Sequence, residues 1–375
     1  MTATARAPVL IVGAGPTGLA AALFLAHRGV AVRIIDTQRE PSTTSKALMV
    51  NPRTLEILHD SGVAARIMTE GMRVAGIRMH RGDRLVATID ALELLPGQPL
   101  IALSQARTEA LLTEALQQRG VMVERETSLQ ALQQDTDRVV MTLHHADGRE
   151  ETATAALVLG ADGARSTVRQ QLGLAFEGTT LPENWQLWDV ALRTALDPHC
   201  AHMVLLARGF IFMLALESGV WRVVSNADDP LAQLPGGGEV GRVAWQSTFR
   251  IGHRLASRAC VGRVALGGDA AHIHSPLGAR GMNLGIEDAW VFAQCAADAL
   301  DGSLQRMREY ALLREPVHHQ VVKKIAAITR LFRGQPAALA SIRNIVAPQL
   351  VQLPAVQRLM ATTISGMDHP LRVHP

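Results

Sequence analysis

At 375 residues, 48% of them hydrophobic, the chain is long enough for one large or two ordinary domains around buried cores. Lys plus Arg total 37 against 34 for Asp plus Glu, a formal charge of +3 with no basic run or tail, which argues against nucleic acid as a partner. Cys200, Cys260 and Cys295 are odd in number and form no C-x-x-C pair, as expected in a reduced cytoplasm without disulfides or structural zinc.

Val9 to Ala26 carries no charge over 18 residues, the length of a membrane span. The central Gly13-Ala-Gly15-Pro16-Thr-Gly18 would leave backbone groups unpaired in lipid, so no membrane association is expected. The stretch reads instead as a strand (Pro8 to Val12), a glycine turn and an Ala/Leu helix to about Arg28, stopped by Gly29. A second strand, Val30 to Ile35, ends at Asp36, 18 residues after Gly18. Glycines allow a tight turn and close approach of a pyrophosphate, and the helix N-terminus stabilises its charge. A carboxylate at the end of the second strand accepts hydrogen bonds from a ribose. Gly236-Gly-Gly238-Glu-Val-Gly241 has the same spacing but no strand before it, and is expected to be a flexible loop.

A Ser/Thr-rich loop then carries one cation, Lys46, whose plainest role is that of a solvated charge. Asn51-Pro52-Arg53 opens an amphipathic helix, and short strands over Ile77 to His80 and Leu85 to Ile89 alternate with turns. Leu103-Ser-Gln105 begins another helix, to Arg119. Strands are expected over 121–123, 138–144 and 150–154. Next, the apolar Ala156 to Leu159 runs into Gly-Ala-Asp162-Gly163-Ala-Arg165-Ser166-Thr-Val-Arg169, a strand, a turn and a helix start; alone, Asp162 is an ordinary turn residue. From Phe176 to Arg254 strands dominate (186–192, 202–206, 210–216, 220–225 and 243–248) and aromatic residues concentrate, which suits a sheet core or an apolar ligand pocket.

Val264 to Leu266 ends at Gly267-Gly268-Asp269. A loop with His272, His274, Pro276 and Gly278 follows, then Gly281-Met282-Asn283 and a helix to about Ala299. A strand, a carboxylate, a close-approach loop and a helix start suit a polyol-phosphate ligand. A further helix, Leu304 to Phe332, is expected to bend at Pro316.

Taken together, GAGPTG with Asp36, GADGARSTVR at 160–169 and GGDAAHIHSPLGARGMN at 267–283 resemble the single-component FAD-dependent aromatic-ring monooxygenases of the para-hydroxybenzoate hydroxylase type. Phe176-Glu-Gly, Pro182-Glu-Asn-Trp185 and Ile364-Ser-Gly366 are similar to the phenol and polyketide hydroxylase branch. The resemblance implies an α/β fold: a Rossmann-like FAD-binding domain (1–70, 100–175 and 255–330) interleaved with a mainly β substrate domain (71–99 and 176–254), then a helical C-terminal segment (331–375). It implies non-covalent FAD, with NADPH or NADH and dioxygen as co-substrates. Gly13, Gly15, Pro16 and Gly18 would hold the pyrophosphate, Asp36 a ribose, and Gly268 with Asp269 the ribityl chain. Asp162, Gly163, Arg169 and Gln105 would contact the cofactor. Pro276 and the backbone of Gly278, Gly281, Met282 and Asn283 would face the flavin ring. Lys46 stands where the family carries arginine, so charge is kept and bidentate geometry is not.

The reaction implied is transfer of one oxygen atom from a flavin C4a-hydroperoxide to an electron-rich aromatic ring, with no side-chain nucleophile. Phe210, Phe212, Met213, Trp221, Arg222, His274 and Pro276 are candidates for the substrate pocket; strand alternation lets only one of each adjacent pair face it. The single tyrosine, Tyr310, lies on a late helix, away from any role in gripping a phenol. Trp185-Gln-Leu-Trp188-Asp-Val lacks the W-x-W-x-I-P stretch of flavin halogenases. An epoxidase, a reductase or a non-catalytic FAD-binding protein remain alternatives. The expected state is a cytoplasmic monomer or homodimer.

Overall fold

The computed structural model describes residues 8–42, 47–217, 219–334 and 337–371. Val9–Val12 lies inside a six-stranded sheet ordered Cys260–Val261, Val264–Leu266, Leu157–Gly160, Val9–Val12, Val32–Ile35 and Val123–Glu124. The last five run parallel, and Cys260–Val261 pairs antiparallel at the edge. Such strands are covered on both faces, which is why Val-Leu-Ile-Val and Leu-Val-Leu-Gly are apolar throughout. Val9 and Ile11 pack with helices Pro16–His27, Gln105–Gln117 and Gly281–Asp301. Leu10 and Val12 turn the other way, onto an antiparallel sheet of Thr127–Gln134, Val139–His145 and Glu150–Ala155.

The Pro16–His27 helix has Pro16 in its first turn, where the missing N–H leaves no helical bond unmade, and it stops before Gly29 at φ 71. The 18-residue uncharged run is therefore a strand, a turn and a twelve-residue helix. Among the described residues no helix is long and apolar enough to cross a membrane.

The second large sheet has eight strands, ordered His272–Ile273, Glu239–Ala256, Phe176–Arg193, Val220–Ser225, Phe210–Glu217, Cys200–Leu205, Gly76–Arg81 and Arg84–Asp90. One face carries Trp185, Leu187, Met203, Leu205, Phe210, Val224 and Ile251, packed with Leu277 and Phe332. The opposite face carries Trp188, Val190, Val204, Ile211, Met213, Trp221 and Val223. His272–Ile273 belongs to this sheet through Leu255 and Arg254, so the loop after Asp269 is tied to both sheets.

Some elements differ from expectation. The strand at 243–248 extends over Glu239–Ala256 because it follows Phe176–Arg193 along nearly its whole length, down to Glu239 opposite Arg193. Gly241 is therefore in a strand; only Gly236 and Gly237, at φ 77 and 61, form the expected turn. Thr127–Gln134 is a strand that its polar composition conceals. Met72–Val74 joins a small sheet with Leu100–Ala102 and Met49–Val50 rather than the eight-stranded one. Gln305–Phe332 is one helix with Pro316 inside it, followed by Ala337–Leu350 and Pro354–Ser365.

All three cysteines are free and buried, and burial pushes the thiol of Cys200 up to about 11 and those of Cys260 and Cys295 up to about 12. The thiolate is the reactive form. An aromatic disulfide reagent at pH 8 should label none of them in the folded protein and all three in guanidinium chloride.

Candidate active site

Three chain turns leave the carboxyl edge of the parallel sheet side by side. Gly13 N–H donates to Ile35 O (2.8 Å), Ala161 N–H to Val12 O (2.8 Å) and Gly267 N–H to Gly160 O (3.0 Å). Together with the starts of the Gln105–Gln117 and Gly281–Asp301 helices they enclose a cavity of about 220 Å³. Its walls are Gly15, Pro16, Thr17, Gln105, Ala161, Gly163, Gly268, Asp269, Gly281 and Met282. Eight of these were candidates from sequence; Thr17 and Ala161 were not.

The glycines divide into two groups. A Cβ at Gly13 would lie 2.4 Å from Ala161 O, and one at Gly18 would lie 1.9 Å from Gly13 O. These two allow the chain to pack against itself. A Cβ at Gly15 or Gly163 would meet no protein atom within 4 Å, and one at Gly281 only His274 Cε1 at 3.9 Å. No neighbouring protein atom demands glycine at Gly15 or Gly281, and Gly163 is set by its φ of 80, so the space beside all three is available to a ligand. A pyrophosphate needs such a cradle of small residues and backbone N–H groups ahead of a helix. The residues present fit FAD.

Asp36 accepts from Ala14 N–H (2.6 Å) and Gln38 N–H (2.7 Å), which fixes the carboxylate beside the first glycine turn. Gln105 donates to the buried Glu109 (2.8 Å), whose carboxyl is pushed up by burial against that bond. Glu109 also senses Arg125 and Asp36, so a second acid lies on the ribose side of the site. Its signal in the sequence was only its place one helical turn after Gln105. Asp162 takes the N–H of Val168 (3.1 Å), which starts the helix behind Gly163.

Two candidate side chains are engaged within the protein. The guanidinium of Arg169 donates to Ala270 O and Ala164 O, both at 2.8 Å, and lies over Phe176 at 3.8 Å. It ties the second turn to the third and does not line the cavity. The side chain of Asn283 donates to Met49 O (2.9 Å) and Ala279 O (2.7 Å) and accepts from Asn51 N–H (3.0 Å). That leaves only its backbone for a cofactor. Pro276 is exposed and Gly278, at φ 95, forms the bend ahead of Arg280. Lys46 lies outside the described residues.

His272 and His274 stack at 6.4 Å between ring centroids. His274 Nδ1 meets Ser275 O at 2.9 Å, its Nε2 is buried without a protein partner among the described residues, and burial lowers the ring to about 3. Its neutral imidazole adjoins Gly281.

On the large sheet, Phe210 and Phe212 are on the face packed with Leu277, where Trp245 and Phe249 are only partly buried. Met213 and Trp221 point to the opposite face, with Trp188 and Val190, because a strand alternates its side chains. Arg222 shares the Phe212 face but is held by Asp189 through Nε and Nη2, each 2.7 Å, and lies 5.1 Å from the Trp245 ring. Tyr310 is wholly buried and donates to Leu266 O (2.7 Å), far from any substrate role.

A parallel sheet whose three turns enclose a cavity suited to a dinucleotide, interleaved with a second sheet that has an aromatic face, defines a flavoprotein fold. The chain matches the model of the FAD binding domain family over residues 6–226 and 237–325. It is 36% identical to 6-methylpretetramide 4-monooxygenase of Streptomyces rimosus, covering 91% of this chain and 63% of that one. It is 31% identical to pentachlorophenol 4-monooxygenase of Sphingobium chlorophenolicum, covering 98% and 72%. The fold superposes on p-nitrophenol 4-monooxygenase from Pseudomonas putida with a TM-score of 0.86 at 24% identity, over 96% of this chain and 98% of that one. The chain belongs to the FAD-dependent aromatic and polyketide monooxygenase family. It spans just under two thirds of the length of the Streptomyces rimosus relative.

Two outcomes follow from this geometry. Gly15→Val should leave the thermal stability of the apoprotein nearly unchanged and weaken FAD binding more than tenfold, whereas Gly18→Ala should itself destabilise by about 1–3 kcal/mol through overpacking. Fluorescence titration with FAD and calorimetry of the apoproteins separate the two. Burial also holds His80 at about 4, His274 at about 3 and His318 at about 4, against 6.5 when exposed. The unfolded chain then binds protons that the native chain refuses, so stability present above pH 6.5 is lost as pH falls towards 4. His369, raised by Asp368 and Glu287 despite its burial, works the other way: the stability it adds is complete below pH 6.5 and is lost as pH rises above it. Urea midpoints measured from pH 7.5 to 4 should fall most steeply within that window.

Proposed function

We propose that this protein is an FAD- and NAD(P)H-dependent monooxygenase that adds one oxygen atom from dioxygen to the ring of a small aromatic, phenolic or polyketide-like molecule. The observation that carries the reading is the meeting of three glycine-bearing turns around space that no side chain fills. FAD held there would supply hydride acceptance from the nicotinamide and activation of dioxygen. The protein's share is to bind, orient and exclude water. Gly15, Gly163 and the helix start after Pro16 receive the pyrophosphate. Asp269, exposed at the cavity wall, would accept from the ribityl hydroxyls. Gly281 and Met282 begin a 21-residue helix whose N-terminus would favour negative charge on a flavin ring held beside it.

For the substrate, the supporting feature is the sheet face with Phe210, Phe212, Trp245 and Phe249, which suits an apolar ring over an anionic group. Residues 71–99 and 176–254 would serve the substrate and the rest of the first 330 residues the cofactor. Free buried thiols support a cytoplasmic setting, and a monomer or homodimer remains the proposed state. With FAD-loaded protein, phenols, nitrophenols and anthracycline-like polyketides should stimulate NADPH or NADH oxidation. One of them should gain a single oxygen atom by mass, labelled from ¹⁸O₂. Oxidation without an oxygenated product from any aromatic tried would favour the reductase alternative.

A further inference from the structure

Asp288 has no solvent exposure and lies outside the cavity wall, yet it is bonded to the wall from behind. Its Oδ2 accepts from Gly268 N–H (2.9 Å) and His272 Nε2 (2.7 Å). Its Oδ1 accepts from Arg314 Nε (2.7 Å) and His318 Nε2 (2.7 Å). The four donors come from the Gly268 turn, the His272–Ile273 strand and the Gln305–Phe332 helix, while Asp288 itself is on the Gly281–Asp301 helix. Gly268 sits at φ 58, and a Cβ there would lie 2.4 Å from Thr17 Oγ1. The turn that presents Asp269 thus has Thr17 on one side and a saturated carboxylate on the other.

Burial opposes ionisation of Asp288, but His318, Arg314 and His272 together hold its carboxyl well below the usual range. Four donors on two oxygens match a carboxylate and no neutral isostere, since an amide has a single acceptor oxygen. The same His272, Asp288 and His318 are close enough to hold a metal ion. Arg314 already supplies the balancing charge, and both histidine Nε2 atoms are directed at the carboxylate oxygens.

We propose that Asp288, hydrogen-bonded to His272 and His318, is the positioning residue of the Gly268–Asp269 turn and thereby sets the affinity for FAD. The inference rests on FAD being the ligand of the cavity, which binding to the wild-type protein tests by itself. Asp288→Asn keeps the shape and reverses one half of the hydrogen-bond pattern. It should raise the FAD dissociation constant about tenfold or more. His318→Leu removes one donor and should weaken FAD binding in the same direction, while His318→Gln, which keeps an N–H donor, should restore affinity to within about threefold of wild type. Phe292→Leu opens space in the apolar core on the same helix, where the ring packs edge-on against Tyr310 and hydrogen-bonds neither Asp288 nor its four donors. It is the control: it should lower apoprotein stability and leave FAD affinity within twofold. The measurement is flavin fluorescence at 10 °C, with apoprotein denaturation followed in parallel. If Phe292→Leu weakens FAD as much as His318→Leu at equal loss of stability, or if His318→Leu binds FAD as wild type does, the role is only structural and the proposal is overturned. Should Asp288→Asn fail to fold, the two His318 variants still decide the question.

Discussion

The parallel backbone ladder constrains everything else in this protein. Hydrogen bonds from Gly13, Ala161 and Gly267 to the ends of neighbouring strands carry the sheet's register into three turns. Those turns are separated by more than a hundred residues each along the chain, and they meet because parallel strands end at the same edge. Side-chain bonds then lock turn to turn. Arg169 bridges the second to the third, and Asn283 joins the last loop to the Met49–Val50 strand.

Beneath the third turn lies a layer of charge that is costly to bury. Glu287, Asp288 and Asp368 face Arg280, Arg314 and Lys324, and each acid has at least one basic partner within 4 Å. Buried ion pairs of this kind add little net stability over apolar packing, but removing one partner leaves an uncompensated charge. The layer therefore contributes definition of geometry more than stability. Arg280, next to the helix start at Gly281, also donates to Thr363 O (2.9 Å), and His369 meets Glu287 at 2.6 Å. The C-terminal segment is thus bonded to the loop that borders the cavity, over a chain separation of more than eighty residues.

The eight-stranded sheet works by alternation. Phe210, Phe212 and Arg222 share one face while Met213 and Trp221 share the other, although all five are close in sequence. Arg222, a charged group on the inner face, is neutralised by Asp189 and lies 5.1 Å from the Trp245 ring.

Legibility from sequence followed the range of the interactions concerned. The glycine turns, Asp36, Asp269 and the strand–turn–helix order were readable because each is a local requirement: a backbone that must turn tightly, a helix start, an acid at a strand end. The resemblance of the three motifs to one family then named the cofactor. Faces were beyond local reading, since alternation states that Phe212 and Met213 differ but only packing against Leu277 states which of them points inward. The bonds of the Arg169 and Asn283 side chains to Ala270 O and Met49 O were hidden for the same reason, as those acceptors are contributed by distant segments. Asp288 and His318 gave no sign at all. An acid in an apolar helix and a histidine thirty residues later become a pair only when two helices are laid against the same turn, and that is a decision of the tertiary structure.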